Sequence, residues 1–206
     1  MADRSEAPPA LPGDAPAVEL RSRTLMCSNT KFDVFFDHVR GASGGEIEQY
    51  LSVVPRSCPD DLVSGIGVLP ELGGRLGLIR VHRHPQGRSS WEIVRGFIDE
   101  GETHEQAALR ELTEETGLDG AGVALADLGI VAPDAGVIRA RIHLYAARAA
   151  QLPARPRCCE LGHGDVLFLP PDQVLKLVLR GEVEDACSVV AILRYACCGG
   201  ARAADL

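Results

Sequence analysis

The stretch Gly96 to Leu118, GFIDEGETHEQAALRELTEETGL, limits what this chain can fold into more than any other segment. Thr103-x-x-Gln106 is a capping box, in which a threonine hydroxyl and a glutamine side chain satisfy the donors that a helix start leaves over. Gly117 suits the left-handed position that ends a helix. The spacing therefore predicts a helix over 103–116. Glu111, Glu114 and Glu115 fall within about one and a half turns of it. At 100° per residue Glu111 and Glu115 lie about 40° apart, with Glu114 about 60° to the other side of Glu111. Like charges so placed repel one another. Arg110, four residues before Glu114, can pair with it, and Ala107 and Ala108 would let the helix approach a sheet closely.

A glutamate-rich helix is usually an exposed charged face, but such faces interleave lysines, and 103–118 contains none. The alternative is a prepared cation site. Oxygen-only donors suit Mg²⁺ or Mn²⁺, hard ions that keep several waters and bridge phosphate oxygens. The net charge of −8 fits that reading. It argues against broad attraction to nucleic acid or an anionic membrane, so an anionic substrate needs local positive charge.

Around this helix, residues 1–17 hold four prolines and little to bury, and are expected to form a disordered leader. Residues 18–27 and 31–39 read as a hairpin, with 41–45 as a flexible break. Residues 61–71 and 75–83 read as strands, 84–90 as a loop and 91–94 as a short strand. Residues 123–131, 137–147 and 165–169 read as further strands, with 152–164 irregular between the last two. Pro170 to Leu179 and Glu184 to Ala196 have apolar residues at helical spacing. Strands before and after one central helix indicate α+β with a mixed sheet. The domain organisation expected is a leader to 17, an N-terminal β-hairpin region over 18–45, a main domain over 46–198 and a frayed tail over 199–206.

Seven cysteines, an odd number with two adjacent pairs, do not form a secreted disulfide framework. His163 near Cys158-Cys159 leaves a zinc reading open beside the simpler one, buried reduced thiols. His82, His84, His104 and His143 have no metal-ligand spacing and read as surface or strand residues, and Trp91 as a core residue at a strand start. No basic region followed by an apolar one opens the chain and no apolar run approaches a membrane span, so a soluble cytoplasmic protein is expected.

Gly96, Glu102, Arg110-Glu111-Leu112, Glu114-Glu115 and Gly117-Leu118 stand at spacings that resemble the Nudix box at every defined position. Seven identities and two apolar positions would coincide by chance roughly once in a billion at a given site. The resemblance implies an α/β/α sandwich and metal-dependent hydrolysis of a nucleoside diphosphate linked to another moiety. It makes Glu111 and Glu115 the main metal ligands, Glu114 a partial or second-metal ligand, the Arg95 carbonyl a backbone ligand, and Glu102–Arg110 a brace between loop and helix. Arg95 departs from the small residue that family members often carry there, which a carbonyl ligand tolerates.

Outside the box the chain is similar to the ADP-ribose pyrophosphatase subgroup over about residues 18–198. Pro133 follows the box by fifteen residues, as the subgroup's marker proline does. Arg83 matches an arginine that contacts the substrate diphosphate, with a surface strand-end arginine as the alternative. Glu92 matches a recurring acidic position, and Asp185-Ala186-Cys187-Ser188 the start of a closing helix. Glu160 is the positional candidate for the catalytic glutamate, with Asp165 as its alternative or a box glutamate in that role, and the resemblance counts Glu114 and Arg110 in the catalytic set. The resemblance implies AMP and ribose 5-phosphate as products, with a small-molecule nucleotide as partner and commonly a homodimer built through N-terminal strands. Two other readings stay open: a nucleoside triphosphate pyrophosphohydrolase using the same box, and a regulator that binds nucleotide without cleaving it.

Overall fold

The computed structural model describes residues 17–118, 120, 122–149 and 161–198. Three consecutive strands come first, β1 (Val18–Ser28), β2 (Phe32–Gly41) and β3 (Glu46–Pro55). They form their own antiparallel sheet. The expected two-stranded hairpin thus gains a third strand, because residues 41–45 make a tight turn instead of a flexible break: Gly41 N–H donates to the Gly45 carbonyl at 2.8 Å. Buried Asp37 fastens the three strands together. It accepts a two-pronged bond from Arg23 on β1 (2.7 and 2.8 Å) and another from Ser52 on β3 (2.7 Å).

The larger sheet contains β4 (Val63–Leu72), β5 (Arg75–Arg83), β6 (Arg88–Glu92), β7 (Val94–Phe97), β8 (Ala124–Val131), β9 (Arg141–Ala149) and β10 (His163–Leu169). Its order is β10-β5-β4-β9-β8, with β6 on β5 and β7 on β4. The β4–β9 pair is parallel and the other strand pairs are antiparallel, so the sheet is mixed as expected. Several boundaries differ from the sequence reading: the short strand expected over 91–94 splits at Ile93 between β6 and β7, and β10 starts at His163 instead of 165. The loop expected over 84–90 shrinks to a short 3-10 turn, His84–Gln86, and β6 already begins at Arg88. The strand expected over 137–147 begins at Arg141, because Val137 and Ile138 N–H groups turn back to the Asp134 carbonyl.

Side chains on a strand alternate between its two faces, and here each face has a core. Ile66, Val68, Ile79, Val81, Val94, Tyr145 and Ala147 point to one side, where α1 (His104–Thr116) packs through Ala107, Ala108 and Leu112. Leu76, Leu78, Ile93, Leu144 and Ala146 point to the other, under α2 (Pro171–Leu179) and α3 (Ala186–Cys197). This is the expected α/β/α layering. The two fully buried alanines let α1 lie close to the sheet. Trp91 packs partly buried on the α2/α3 side, with the Arg80 guanidinium 5.3 Å from its ring centre.

The small sheet is joined to the large one along β3. Val53 N–H donates to the Val137 carbonyl and the Val53 carbonyl accepts from Arg139 N–H, both at 2.9 Å, and Phe32 meets Phe97 edge-on at 5.7 Å. Of the five described cysteines only Cys187 is buried; Cys27 and Cys197 are exposed, so the buried-thiol reading holds for one position. Cys158 and Cys159 lie outside the described residues. Among the described residues no helix is long and apolar enough to cross a membrane.

Candidate active site

The capping box at Thr103 is made in both directions: Gln106 N–H donates to Thr103 Oγ1 at 3.2 Å, and Thr103 N–H to Gln106 Oε1 at 2.8 Å. Gly117 closes α1 with φ 72°, and its N–H returns to the Thr113 carbonyl. With both ends set locally, the phase of the glutamates follows. Glu111 and Glu115 are each only 7% exposed and turn toward the sheet, whereas the Glu114 side chain is 44% exposed. Glu111 lies against Gly96 on β7, where a Cβ would overlap its carboxylate. Gly96 is there for space.

Arg110 supplies the counter-charge. It meets Glu102 with two parallel bonds, 2.8 and 2.9 Å, and donates to the Phe97 carbonyl at 3.0 Å. Its Nη1 donates to Glu111 at 2.7 Å and Glu114 at 3.4 Å. The Glu102 hydrogen bonds hold the guanidinium pKa above its ordinary value, and in return Arg110 lowers that of Glu102. One residue therefore ties the loop, β7 and the glutamate row together.

On the cleft side, Arg83 Nε and Nη2 both bond Glu92. Glu92 is 2% exposed, so it faces arginines and not the cleft. Burial alone would raise its pKa, but the hydrogen bonds of Arg83 and the charges of Arg95 and Arg83 outweigh that and hold it low. Burial would likewise discharge Arg95, yet the charges of Asp185 and Glu92 keep its pKa raised. Arg83, Arg95, Gly96, Glu111, Glu114 and Pro133 line one cleft of about 550 Å³, whose lining also includes Phe32 at the start of β2 and Lys31 before it.

Of the residues singled out in the sequence, Glu160 lies outside the described ones, and Asp165 is exposed on β10. The structure adds His163, whose Nδ1 is 3.6 Å from Glu115 Oε1. Only the pairing of β10 with β5 brings it there, and no local spacing signals it. His104 and His143 are more than lone surface residues: their Nδ1 atoms are 3.0 Å apart, and the Tyr145 hydroxyl lies 3.0 Å from that of His143.

Among the described residues no three acidic, histidine or cysteine side chains are already gathered around one point. The donor set nevertheless fits a hard cation. Every candidate donor is an oxygen, two carboxylates are buried on one helix edge, and Gly96 leaves room for Glu111 where any other residue would fill it.

The α/β/α sandwich thus presents helical glutamates beside a cleft lined by Arg83, Arg95 and Arg110. Residues 62–188 match the family model described as NUDIX domain, well over half of the chain, and the protein belongs to the Nudix family of hydrolases. It is 28% identical over 164 residues to an ADP-ribose pyrophosphatase of Mycobacterium tuberculosis, covering 76% of this chain and 72% of that protein. It is also 28% identical over 128 residues to a CMP-5'-(N-acetyl-N-hydroxy-3-aminopropyl)phosphonate hydrolase of Streptomyces rubellomurinus. That match covers 62% of this chain and 61% of the relative. A shorter match, 51% over 43 residues, is to an ADP-sugar pyrophosphatase of Mus musculus, covering 21% and 20%. In fold it is similar to a solved ADP compounds hydrolase, with a TM-score of 0.70 at 16% identity over 92% of this chain and 98% of that one.

Proposed function

We propose that the protein hydrolyses a nucleoside diphosphate linked to a second moiety, with ADP-ribose as the substrate and AMP and ribose 5-phosphate as products. The observation that carries this reading is one cleft whose lining Glu111 and Glu114 of α1 share with Arg83. A diphosphate needs both: cations bound by the carboxylates, and guanidinium groups for its remaining charge. The ADP-ribose and ADP-sugar pyrophosphatases among its relatives support the choice of substrate.

In this reading Glu111, Glu115 and Glu114, with the Arg95 carbonyl, hold Mg²⁺ or Mn²⁺. The bound ion supplies charge neutralisation at the phosphoryl oxygens and a more acidic water. Arg110, braced by Glu102, holds Glu111 and Glu114 in place. Arg83, steadied by Glu92, turns its guanidinium to the diphosphate. Pro133 shapes the wall beside it. Glu160, or Asp165 in its place, orients the attacking water and accepts its proton.

Incubation of the full chain with Mg²⁺ and ADP-ribose should yield AMP and ribose 5-phosphate, and Glu115→Gln should abolish that yield while leaving the melting transition in place. Release of pyrophosphate from nucleoside triphosphates, without cleavage of ADP-ribose, would establish the other hydrolytic reading. Tight ADP-ribose binding without any product would establish a regulator.

The working form in this reading is a homodimer. Val18, Leu20, Leu25 and Ile47 remain exposed on one face of the small sheet, an apolar surface of the kind that a second copy covers. Sedimentation equilibrium of the full chain should give twice the chain mass, and Leu25→Glu should shift it toward the monomer.

A further inference from the structure

Ile93 stands where the chain exchanges one neighbour for another. Up to Glu92 it pairs with β5, Glu92 opposite Ile79; from Val94 it pairs with β4, Val94 opposite Val68. At the exchange the Ile93 N–H donates to Ser188 Oγ at 3.0 Å, across 95 residues of sequence. Ser188 lies in the first turn of α3 and is fully buried. Its hydroxyl and its N–H both donate to Asp185 Oδ2, at 2.6 and 2.8 Å. The other carboxylate oxygen, Oδ1, lies 3.2 Å from Arg95 Nη2, which also reaches Glu92 at 3.1 Å. Asp185 thus caps α3 and holds Arg95 at once.

Alternation along β7 gives this clasp its meaning. Ile93 packs in the α2/α3 core and Val94 in the α1 core. Arg95 therefore turns to the α3 side, and Gly96 to α1, where Glu111 lies against it. Two consecutive residues of a four-residue strand are held from opposite faces, one by the start of α3 and one by the glutamate helix. A strand this short has few ladder bonds of its own to set its place. The clasp also acts at the carbonyl-bearing residue that departs from the usual small one.

We propose that Asp185 and Ser188 are positioning residues for the cation site, fixing β7 so that the Arg95 carbonyl and the space for Glu111 at Gly96 keep their places. Neither side chain lines the cleft; both act through Arg95 and Ile93. The proposal rests on the reading of the α1 glutamates as the cation site.

The test compares Asp185→Asn, Ser188→Ala and Glu115→Gln in the full chain. Asparagine caps a helix about as well as aspartate, so Asp185→Asn keeps the α3 start and removes the charge from Arg95. Mn²⁺ binding is read without substrate by electron paramagnetic resonance, and the Mg²⁺ dependence of turnover is read beside it. Residues behind a metal's ligands typically influence affinity about tenfold or more, so Asp185→Asn should bind Mn²⁺ about tenfold more weakly. It should need correspondingly more Mg²⁺ for half-maximal turnover, with KM at saturating Mg²⁺ close to wild type and a single cooperative melting transition retained. Ser188→Ala should move Mn²⁺ binding in the same direction. Wild-type Mn²⁺ affinity in Asp185→Asn, with binding lost in Glu115→Gln, overturns the clasp and leaves the cation site standing. Wild-type affinity in Glu115→Gln removes the cation site itself, and the clasp's role with it.

Discussion

Glu111 occupies the space that a side chain at Gly96 would need, since a Cβ there would overlap both its Cδ and Oε1. At this point strand β7 places no side chain between itself and helix α1, and the Glu111 carboxylate lies directly on the backbone of the strand. A methyl group can be admitted only by pushing Glu111 away or by parting helix and strand. Gly96→Ala should reduce turnover on the order of 100-fold, as small misplacements of catalytic groups do. Overpacking costs about 1–3 kcal/mol, so a thermal melt should show a lower but still cooperative transition.

Arg110 donates to five oxygens from four residues, and its planar fork is what reaches Glu102 twice. Lysine keeps the charge but cannot make that paired contact. Arg110→Lys should lose most activity and melt about 2–4 °C lower, the shift expected for about 1 kcal/mol in a chain of this size. Calorimetry with and without Mg²⁺ checks both. An Arg110→Lys protein with wild-type turnover would show that the brace is dispensable.

The helix and its glutamates were legible because every signal is local: the Thr103–Gln106 box, Gly117 and the phase of Glu111 and Glu115 all lie within fifteen residues. The strand Glu46–Pro55 was not, since its outer half stays exposed and carries no clean alternation to read. The site's second half was hidden for a different reason. Arg83, Glu92, Arg95 and Asp185 come from four places in the chain, and their ion pairs exist only through sheet register and the docking of α3. Resemblance singled out three of these positions for roles at the substrate or metal, or as a recurring acid. The structure shows how Glu92 connects Arg83 to Arg95. His163 beside Glu115 depends on an irregularity in β10, between His163 and Val166, that no residue pattern announces.

The same network sets an acid limit on stability. The folded pKa of Glu92 is held below the ordinary glutamate value of 4.5. A carboxyl lowered on folding stabilises the protein fully above its unfolded pKa, and that contribution is lost as pH falls through the folded value. Wild-type stability should therefore decline as pH drops below 4.5. Glu92→Gln cannot titrate. It should be less stable at neutral pH, where Arg83 and Arg95 lose their shared counter-ion, and should show a shallower decline on acidification. Urea unfolding over a pH series compares the two slopes. Parallel slopes would remove Glu92 from the account.

Arg83 is the last residue whose placement makes a separable prediction. Its Nε and Nη2 are engaged by Glu92, yet it still lines the cleft, so its charge faces the substrate from a fixed position. It contacts none of the α1 glutamates in the bonds that hold it. Substrate binding and cation binding should therefore come apart at this position. Losing one charge-assisted contact of about 1.5–3 kcal/mol, Arg83→Gln should raise KM for ADP-ribose at least tenfold while Mn²⁺ affinity stays unchanged. Arg83→Lys, which keeps the charge without the fork, should fall between the two. Steady-state kinetics at saturating Mg²⁺, together with Mn²⁺ binding, separates these effects. A loss of Mn²⁺ affinity in Arg83→Gln would mean that the arginine supports the cation site and not the diphosphate.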